Sequence, residues 1–189
     1  LHISTDFVFD GNRDVTSSAV EMPYKEIDIP NPTGVYGQTK LDGEKAIQEV
    51  WNKHYIIRTS WVYSQFGNNF MKTMLRLASE RTSLSVVNDQ IGTPTNAVDL
   101  AEALVQIVIN NNQYGIYNFS NEGQCSWYDF AKKIFEINNV NIDLKAIPTS
   151  EFPTPAERPK YSVLDKSKIK STFGITIKTW EESLKSIKI

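Results

Sequence analysis

The sequence is poor in the residues that build disulfide scaffolds and metal centres. Its 189 residues include one Cys, Cys125, so no internal disulfide can form, and this favours a cytoplasmic location. Its two His residues and this Cys lie far apart in the chain and form no metal-ligand pattern. The net charge of -2 provides no basic surface for nucleic acid or for an anionic membrane. No apolar run approaches the roughly 18 residues of a membrane-spanning helix, and no signal-peptide pattern is present.

The composition, 40% hydrophobic and 22% charged, is typical of a globular protein with a buried core. Strand-type apolar stretches alternate with stretches of helical periodicity, which favours an α/β fold. The predicted strands are 1–9, 55–59, 84–87 and 116–119. The predicted helices cover 36–50 and 70–77, and three more follow the N-cap signals Asn96, Ser126 and Thr179, each with an acid three residues later.

Tyr36 and Lys40 are the most informative pair in the chain. They lie four residues apart at the start of a predicted helix, so both side chains share one face. A phenol beside an ammonium can donate a proton to a developing anion, because the cation stabilises the phenolate. Thr5 lies in the first predicted strand, which runs into a polar turn at its carboxyl end, and open parallel sheets bind their ligands outside the carboxyl ends of their strands. These residues predict a hydroxyl, a phenol and an ammonium at one site.

Several segments of the chain resemble the extended short-chain dehydrogenase/reductases, and within them the dTDP-4-dehydrorhamnose reductase family. The resemblance covers essentially the whole chain, and the segments occur in the family's order. They are 4–11 (STDFVFDG), 35–44 (VYGQTKLDGE), 58–63 (RTSWVY), 67–75 (GNNFMKTML), 88–95 (NDQIGTPT) and 148–159 (PTSEFPTPAERP).

The resemblance implies part of a Rossmann-like parallel sheet with helices, plus a smaller C-terminal substrate-binding domain. We expect residues 1–111 to form the C-terminal half of the NAD(P)-binding domain. Residues 112–189 would form mainly the substrate domain, with contributions from about 62–80 and 90–96. The family's Gly-rich cofactor motif, G-x-x-G-x-x-G, is absent, and residue 1 already lies in a predicted strand. We therefore expect a truncated chain that is itself inactive, with strand 1–9 either poorly ordered or paired with another chain.

The activity that the resemblance implies is reduction of the C4 keto group of dTDP-4-dehydro-L-rhamnose to dTDP-L-rhamnose. NADPH is the expected cofactor, with NADH as the alternative. Tyr36 would be the general acid, and Thr5 would hydrogen-bond the substrate carbonyl oxygen. Lys40 would assist Tyr36 and bind the nicotinamide ribose, and Ser4 is assigned to the cofactor with Tyr36 and Lys40.

The dTDP-sugar is expected to contact a larger set of residues. Such a ligand would need an aromatic platform for the deoxysugar, a helix N-terminus for the diphosphate and an Arg for phosphate. The predicted substrate-binding residues are Thr5, Asp6, Phe7, Trp61, Asn69, Gln90, Thr93 and Arg158.

Other interpretations remain open from sequence alone. The enzyme could reduce another NDP-4-keto-6-deoxysugar, or the fold could serve as a non-catalytic nucleotide-sugar-binding module. A homodimer is compatible with the sequence. Glu151 and Glu157 could meet Mg²⁺ at a dimer interface, as in some relatives, but isolated surface Glu residues are usually only solvated, so no metal ligand is assigned. Neither nucleic acid nor a membrane is expected as a partner.

Overall fold

The computed structural model describes residues 1–12, 22–109, 112–154 and 158–187. The strands are β1 (His2–Thr5), β2 (Tyr55–Thr59), β3 (Val62–Tyr63), β4 (Ser83–Val87), β5 (Ile91–Gly92), β6 (Thr95–Asn96), β7 (Gly115–Asn118), β8 (Cys125–Ser126) and β9 (Asp143–Ile147). The helices are α1 (Val35–Val50), α2 (Phe70–Glu80), α3 (Ala97–Ile109), α4 (Trp127–Ile137), α5 (Ser167–Phe173) and α6 (Trp180–Lys185), with 3-10 turns at Asp6–Val8 and Thr149–Glu151. The predicted α/β fold with parallel strands is confirmed.

The main sheet has the order β1-β2-β7, and all three strands are parallel. Successive side chains of β2 point to opposite faces. Arg58 pairs with Glu44 of α1 on one face, while Ile57 packs with residues of α3 and α5 on the other. The two faces of the sheet are therefore covered by different helices, as in a doubly wound arrangement.

A second core lies away from this sheet, between α2, α4, α6 and the pair β4-β9. It contains Met71, Leu84, Phe130, Ile134 and Trp180 among its buried residues. The chain crosses between the two cores more than once. β7 lies beyond residue 111 yet completes the main sheet, and β4 lies before it yet pairs with β9. The domain boundary at 111 stays a prediction.

Helix ends follow the local signals in the sequence. Ser126 with Asp129 and Thr179 with Glu182 form complete capping boxes. Asn69 caps α2 by accepting a hydrogen bond from the Lys72 amide. Gly174 ends α5 with a φ of 66°, a left-handed conformation that glycine adopts without strain.

The first strand is shorter than predicted because the Thr5 side chain ends it. Its Oγ1 accepts from the Phe7 amide and starts the 3-10 turn at Asp6–Val8. β1 forms a regular strand with β2 on one side, and no other described strand pairs with it. Residues 2–8 form this strand and the 3-10 turn, and pairing of the second edge with another chain stays a prediction.

Candidate active site

Thr5 lies at the carboxyl edge of the main sheet, where a ligand of such a sheet binds. Its Oγ1 accepts a hydrogen bond from the Phe7 amide at 3.2 Å and donates to Oδ1 of Asp6 at 3.1 Å. The residue is only 5% exposed. Its own turn therefore holds the hydroxyl in one orientation.

Helix α1 approaches this turn closely at Gly37. A Cβ there would lie 2.1 Å from the Phe7 carbonyl oxygen and 2.9 Å from Cβ of Pro32, so a side chain would have to displace the backbone. The close approach brings the ring of Tyr36 edge-on to the ring of Phe7, with centroids 5.7 Å apart and an interplanar angle of 78°. Thr5, Phe7 and Tyr36 are consequently joined by direct contacts.

Lys40 lies one turn beyond Tyr36 on the same helix. Its Nζ donates a hydrogen bond to the carbonyl oxygen of Ile3, two residues before Thr5. An ammonium has three N–H donors, so this bond leaves two for a ligand. Tyr36 is 57% exposed, which leaves its phenol accessible from solution. The structure thus brings Thr5, Tyr36 and Lys40 to one end of β1.

Ser4 is placed differently from what the resemblance implies. Its hydroxyl donates to the carboxylate of Glu44, and the residue is 3% exposed. The Glu44 carboxylate in turn accepts two hydrogen bonds from Arg58. The structure therefore does not bring the Ser4 hydroxyl to a surface that a cofactor reaches.

Asp6 is the most perturbed carboxyl at this edge. Burial raises the pKa of Asp6 from 3.8 to about 6, while hydrogen bonds from Ser162 and Thr5 act in the opposite direction. The side chain is almost fully buried between β1 and the segment that carries Ser162. A carboxyl that titrates near neutral pH beside Thr5 is typical of a functional site.

Trp61 has a backbone conformation that is rare for a non-glycine residue, with a φ of 44°. Its indole stacks on Trp127, with centroids 3.5 Å apart and planes at 9°. A Cβ on Gly92 would lie 2.6 Å from the Trp61 ring and 2.9 Å from Oγ of Ser162. One face of Trp61 is thus covered by Trp127, and a sugar could reach only the rest of the ring.

A cleft of about 110 Å³ opens beside this aromatic stack. Gln90 and Arg158, both predicted to bind substrate, line it together, and most of the remaining wall is apolar. Apolar walls with a few polar groups are typical of small-molecule sites. The other lining residues are Phe70, Met74, Ser85, Val86, Val87, Trp127, Phe152 and Thr154.

Gln90 is held in the cleft by a polar cluster. Its Nε2 donates to Oγ1 of Thr149 at 3.0 Å, and that hydroxyl donates to Oδ1 of Asp89 at 2.6 Å. The Thr149 amide also donates to Asp89, and these hydrogen bonds lower the pKa of the Asp89 carboxyl although burial opposes them. The cluster fixes the 3-10 turn at Thr149–Glu151 that precedes Phe152.

Two other predicted substrate residues lie outside the cleft wall. The Asn69 amide donates to the carbonyl oxygen of Ser64 while its carbonyl caps α2. Thr93 is completely buried, and its hydroxyl donates to the Gly123 carbonyl oxygen at 2.8 Å. In this arrangement both side chains hold backbone around the site.

The described residues contain no group of three or more His, Cys, Asp or Glu side chains that could hold a metal ion. Glu151 is exposed on its 3-10 turn. Glu157 lies outside the described residues.

Sequence reasoning missed two aromatic walls of the cleft, Trp127 and Phe152, and the buried pair Glu44 and Arg58. Trp127 had a usable signal, because it follows the N-cap Ser126 and therefore lies in the first turn of a helix. Phe152 had none, since its position depends on the contact of Thr149 with Asp89, some 60 residues away.

Comparison with known proteins identifies relatives over the entire chain. The family profile described as RmlD substrate binding domain matches residues 1–188. A dTDP-4-dehydrorhamnose reductase of Aggregatibacter actinomycetemcomitans is 45% identical over 100% of this chain and 65% of its own length. The crystal structure of the Bacillus anthracis reductase in complex with NADP has a TM-score of 0.88 at 43% identity, covering 97% of this chain and 62% of that one.

The Clostridium acetobutylicum reductase has a TM-score of 0.90 at 44% identity, with 97% of this chain and 62% of that one covered. The chain spans less than two thirds of the length of these relatives. Their names agree with the resemblance drawn from the sequence motifs. The chain belongs to the RmlD substrate-binding-domain family.

Proposed function

We propose that the whole protein to which this chain belongs reduces the C4 keto group of dTDP-4-dehydro-L-rhamnose with NADPH, giving dTDP-L-rhamnose. The name of a relative 45% identical over the full chain supports this activity. The observation that carries it is the docking of α1 against the end of β1, with Tyr36 against Phe7 and Lys40 on Ile3. A hydroxyl, a phenol and an ammonium at one sheet edge suit reduction of a carbonyl group.

Tyr36 would act as the general acid. As the C4 carbon becomes tetrahedral, its oxygen develops negative charge and takes the phenolic proton. The Thr5 hydroxyl would donate a hydrogen bond to the same oxygen, which stabilises the charge before the proton arrives. Thr5 must then turn its hydroxyl hydrogen from Asp6, where it now points, toward the substrate.

The residues beside Tyr36 fit a nicotinamide nucleotide. Two N–H donors of Lys40 remain beyond its bond to Ile3, which suits the two hydroxyls of a ribose. The bound nucleotide would supply a hydride to the substrate carbon. NADPH is preferred over NADH because NADP is the ligand of the Bacillus anthracis relative.

The cleft beside Trp127 would receive the nucleotide part of the substrate. Its apolar wall suits a base, and Arg158 at its rim suits the diphosphate. A series of contacts joins this cleft to Thr5: Trp127 stacks on Trp61, the Trp61 ring and Ser162 both lie beside Gly92, and Asp6 is hydrogen-bonded to Ser162 and Thr5. The deoxysugar would lie along these residues, with Phe7 nearby. Asn69 and Thr93 would act indirectly, by holding the surrounding backbone.

Partners and location complete the proposal. A dTDP-sugar would be the main ligand, and a homodimer would be compatible with the sequence. Within the described ranges, no helix is both long and apolar enough to cross a bilayer. A cytoplasmic location rests on the single, buried Cys125.

The test is NADPH oxidation by the full-length protein with dTDP-4-dehydro-L-rhamnose, for wild type, Tyr36→Phe and Tyr114→Phe. Loss of the acid should lower turnover on the order of 10²–10⁴-fold. Tyr114→Phe is the matched control, because its hydroxyl donates to Oδ1 of Asn112 at 3.3 Å just before the start of β7, at the opposite end of the parallel sheet from Thr5. Unchanged turnover in Tyr36→Phe would refute the assigned acid.

The same assay separates the alternative substrates. If the wild-type enzyme reduces a different NDP-4-keto-6-deoxysugar faster, the proposed chemistry is correct and the proposed substrate is wrong. A protein that binds dTDP-sugars but oxidises no NADPH with any of them would be a nucleotide-sugar-binding module.

A further inference from the structure

A buried ion pair lies beneath the turn that carries Thr5, and the proposed chemistry does not use it. Oε1 of Glu44 accepts from Nε of Arg58 at 3.0 Å, and Oε2 accepts from Nη2 at 2.7 Å. The two side chains are 0% and 2% exposed. The Ser4 hydroxyl donates to the same carboxylate, and the guanidinium lies over the Phe9 ring, 5.2 Å from its centroid. Both charges are thus enclosed and bonded on several sides.

The pair joins α1 to both strands that end at the site. Glu44 lies four residues after Lys40 and eight after Tyr36, so it shares their side of the helix. Arg58 is the register partner of Ser4, and the next register pair, Thr5 with Thr59, ends both strands. The ion pair is therefore one residue below the proposed substrate hydroxyl and one turn below the proposed ammonium.

A buried ion pair is not the most stabilising way to attach a helix to a sheet. Apolar side chains of similar volume often hold such an interface as well or better, because they avoid desolvation of two charges. Apolar contacts, however, tolerate sliding, whereas two parallel hydrogen bonds fix distance and angle together. Misplacement of a catalytic group by about 1 Å can cost on the order of 10²-fold in rate. A device that fixes α1 against β1 would therefore affect turnover more than folding.

We propose that the Glu44–Arg58 pair, completed by the Ser4 hydroxyl, is a positioning device that sets Tyr36 and Lys40 relative to Thr5. The proposal rests on the proposed function. Glu44, Arg58 and Ser4 touch neither substrate nor cofactor and act through the placement of α1.

The first experiment replaces the pair by apolar residues in the full-length protein, as Glu44→Met/Arg58→Met. The double variant should fold, with kcat lowered about 10-fold or more. KM for the sugar nucleotide should stay within about twofold, because Trp127 of the cleft packs on the second core and Gln90 is bonded to Thr149, neither of them on α1. The matched control is Arg76→Met/Glu80→Met, which removes an exposed ion pair of α2 and should leave both constants unchanged.

If the double variant does not fold, a second variant and a second measurement test the positioning role. Arg58→Lys keeps the charge but loses the two parallel hydrogen bonds, so it should fold and still show a lowered kcat. Phe7 replaced by 4-fluorophenylalanine reports on α1 by ¹⁹F NMR, because the Tyr36 ring lies edge-on to it at 5.7 Å. Its resonance should shift in Arg58→Lys and in the double variant toward that of a Tyr36→Leu reference.

A folded double variant or Arg58→Lys with wild-type kcat and wild-type ¹⁹F shift would overturn the positioning role. If the wild-type protein itself shows no turnover, the proposed function fails. The ¹⁹F shifts alone then decide whether the pair fixes α1.

Discussion

Asp6 should make the protein less stable as the pH rises from about 4 to about 6. Burial raises its pKa in the folded chain to about 6, against 3.8 for an ordinary Asp. Between these values the unfolded chain has lost the proton and the folded chain has kept it, so the free energy of unfolding falls with increasing pH. The full difference is about 3 kcal/mol, of which about 2 kcal/mol lies between pH 4.5 and 7.5.

The assay is urea unfolding of wild type and Asp6→Asn at several pH values across this range. Asn has nearly the same shape but no charge, so the difference in unfolding free energy between the two proteins isolates the Asp6 titration. Relative to wild type, Asp6→Asn should gain about 2 kcal/mol between pH 4.5 and 7.5. Asp143→Asn, at an exposed position, controls for the loss of one carboxylate. A difference that stays constant within about 0.5 kcal/mol over this range would refute the effect of burial.

Two further predictions concern α1 and the cleft. Gly37→Ala should destabilise the protein by about 1–3 kcal/mol and lower kcat, because its Cβ would lie 2.1 Å from the Phe7 carbonyl oxygen. A Cβ at Gly43 in the same helix would have its nearest described neighbour, the His2 ring, at 3.8 Å, so Gly43→Ala should stabilise the protein by up to about 1 kcal/mol. Thermal unfolding measures both changes in stability, and the same sign for both would contradict the steric argument. Arg158→Met should raise KM for the dTDP-sugar about 10-fold with little change in kcat in steady-state kinetics, and an unchanged KM would remove Arg158 from the substrate site.

The sequence predicted the elements of this fold where local signals are strong. The β-branched run at Tyr55–Thr59 and the capping boxes at Ser126 and Thr179 appear as expected. The short pairings β3 with β6 and β5 with β8 were not predicted, because strands of two residues have no period to detect. Their formation depends on tertiary contacts alone.

The site could be predicted only where residues are related by local spacing. Tyr36 and Lys40 are related by helical spacing, so their common face follows from sequence. Ser4 shows the limit, since its hydroxyl could face a cofactor or the interior. Only the position of Glu44, 40 residues later, decides between these directions. The cover of Trp61 by Trp127 likewise needs contacts between distant segments.

The crossing of the chain between its two cores has a consequence for folding. The paired strands β2 and β7, and likewise β4 and β9, are roughly 60 residues apart in sequence. Because β4 lies between β2 and β7 in the chain, the first pair cannot form until part of the second core has been synthesised. During synthesis β2 cannot pair with β7, nor β4 with β9, until the later strand has been made. Helices such as α1 and α2 can form early, but the two cores should assemble as one cooperative unit. Cleavage near residue 111 would therefore separate strand partners instead of releasing two folded halves.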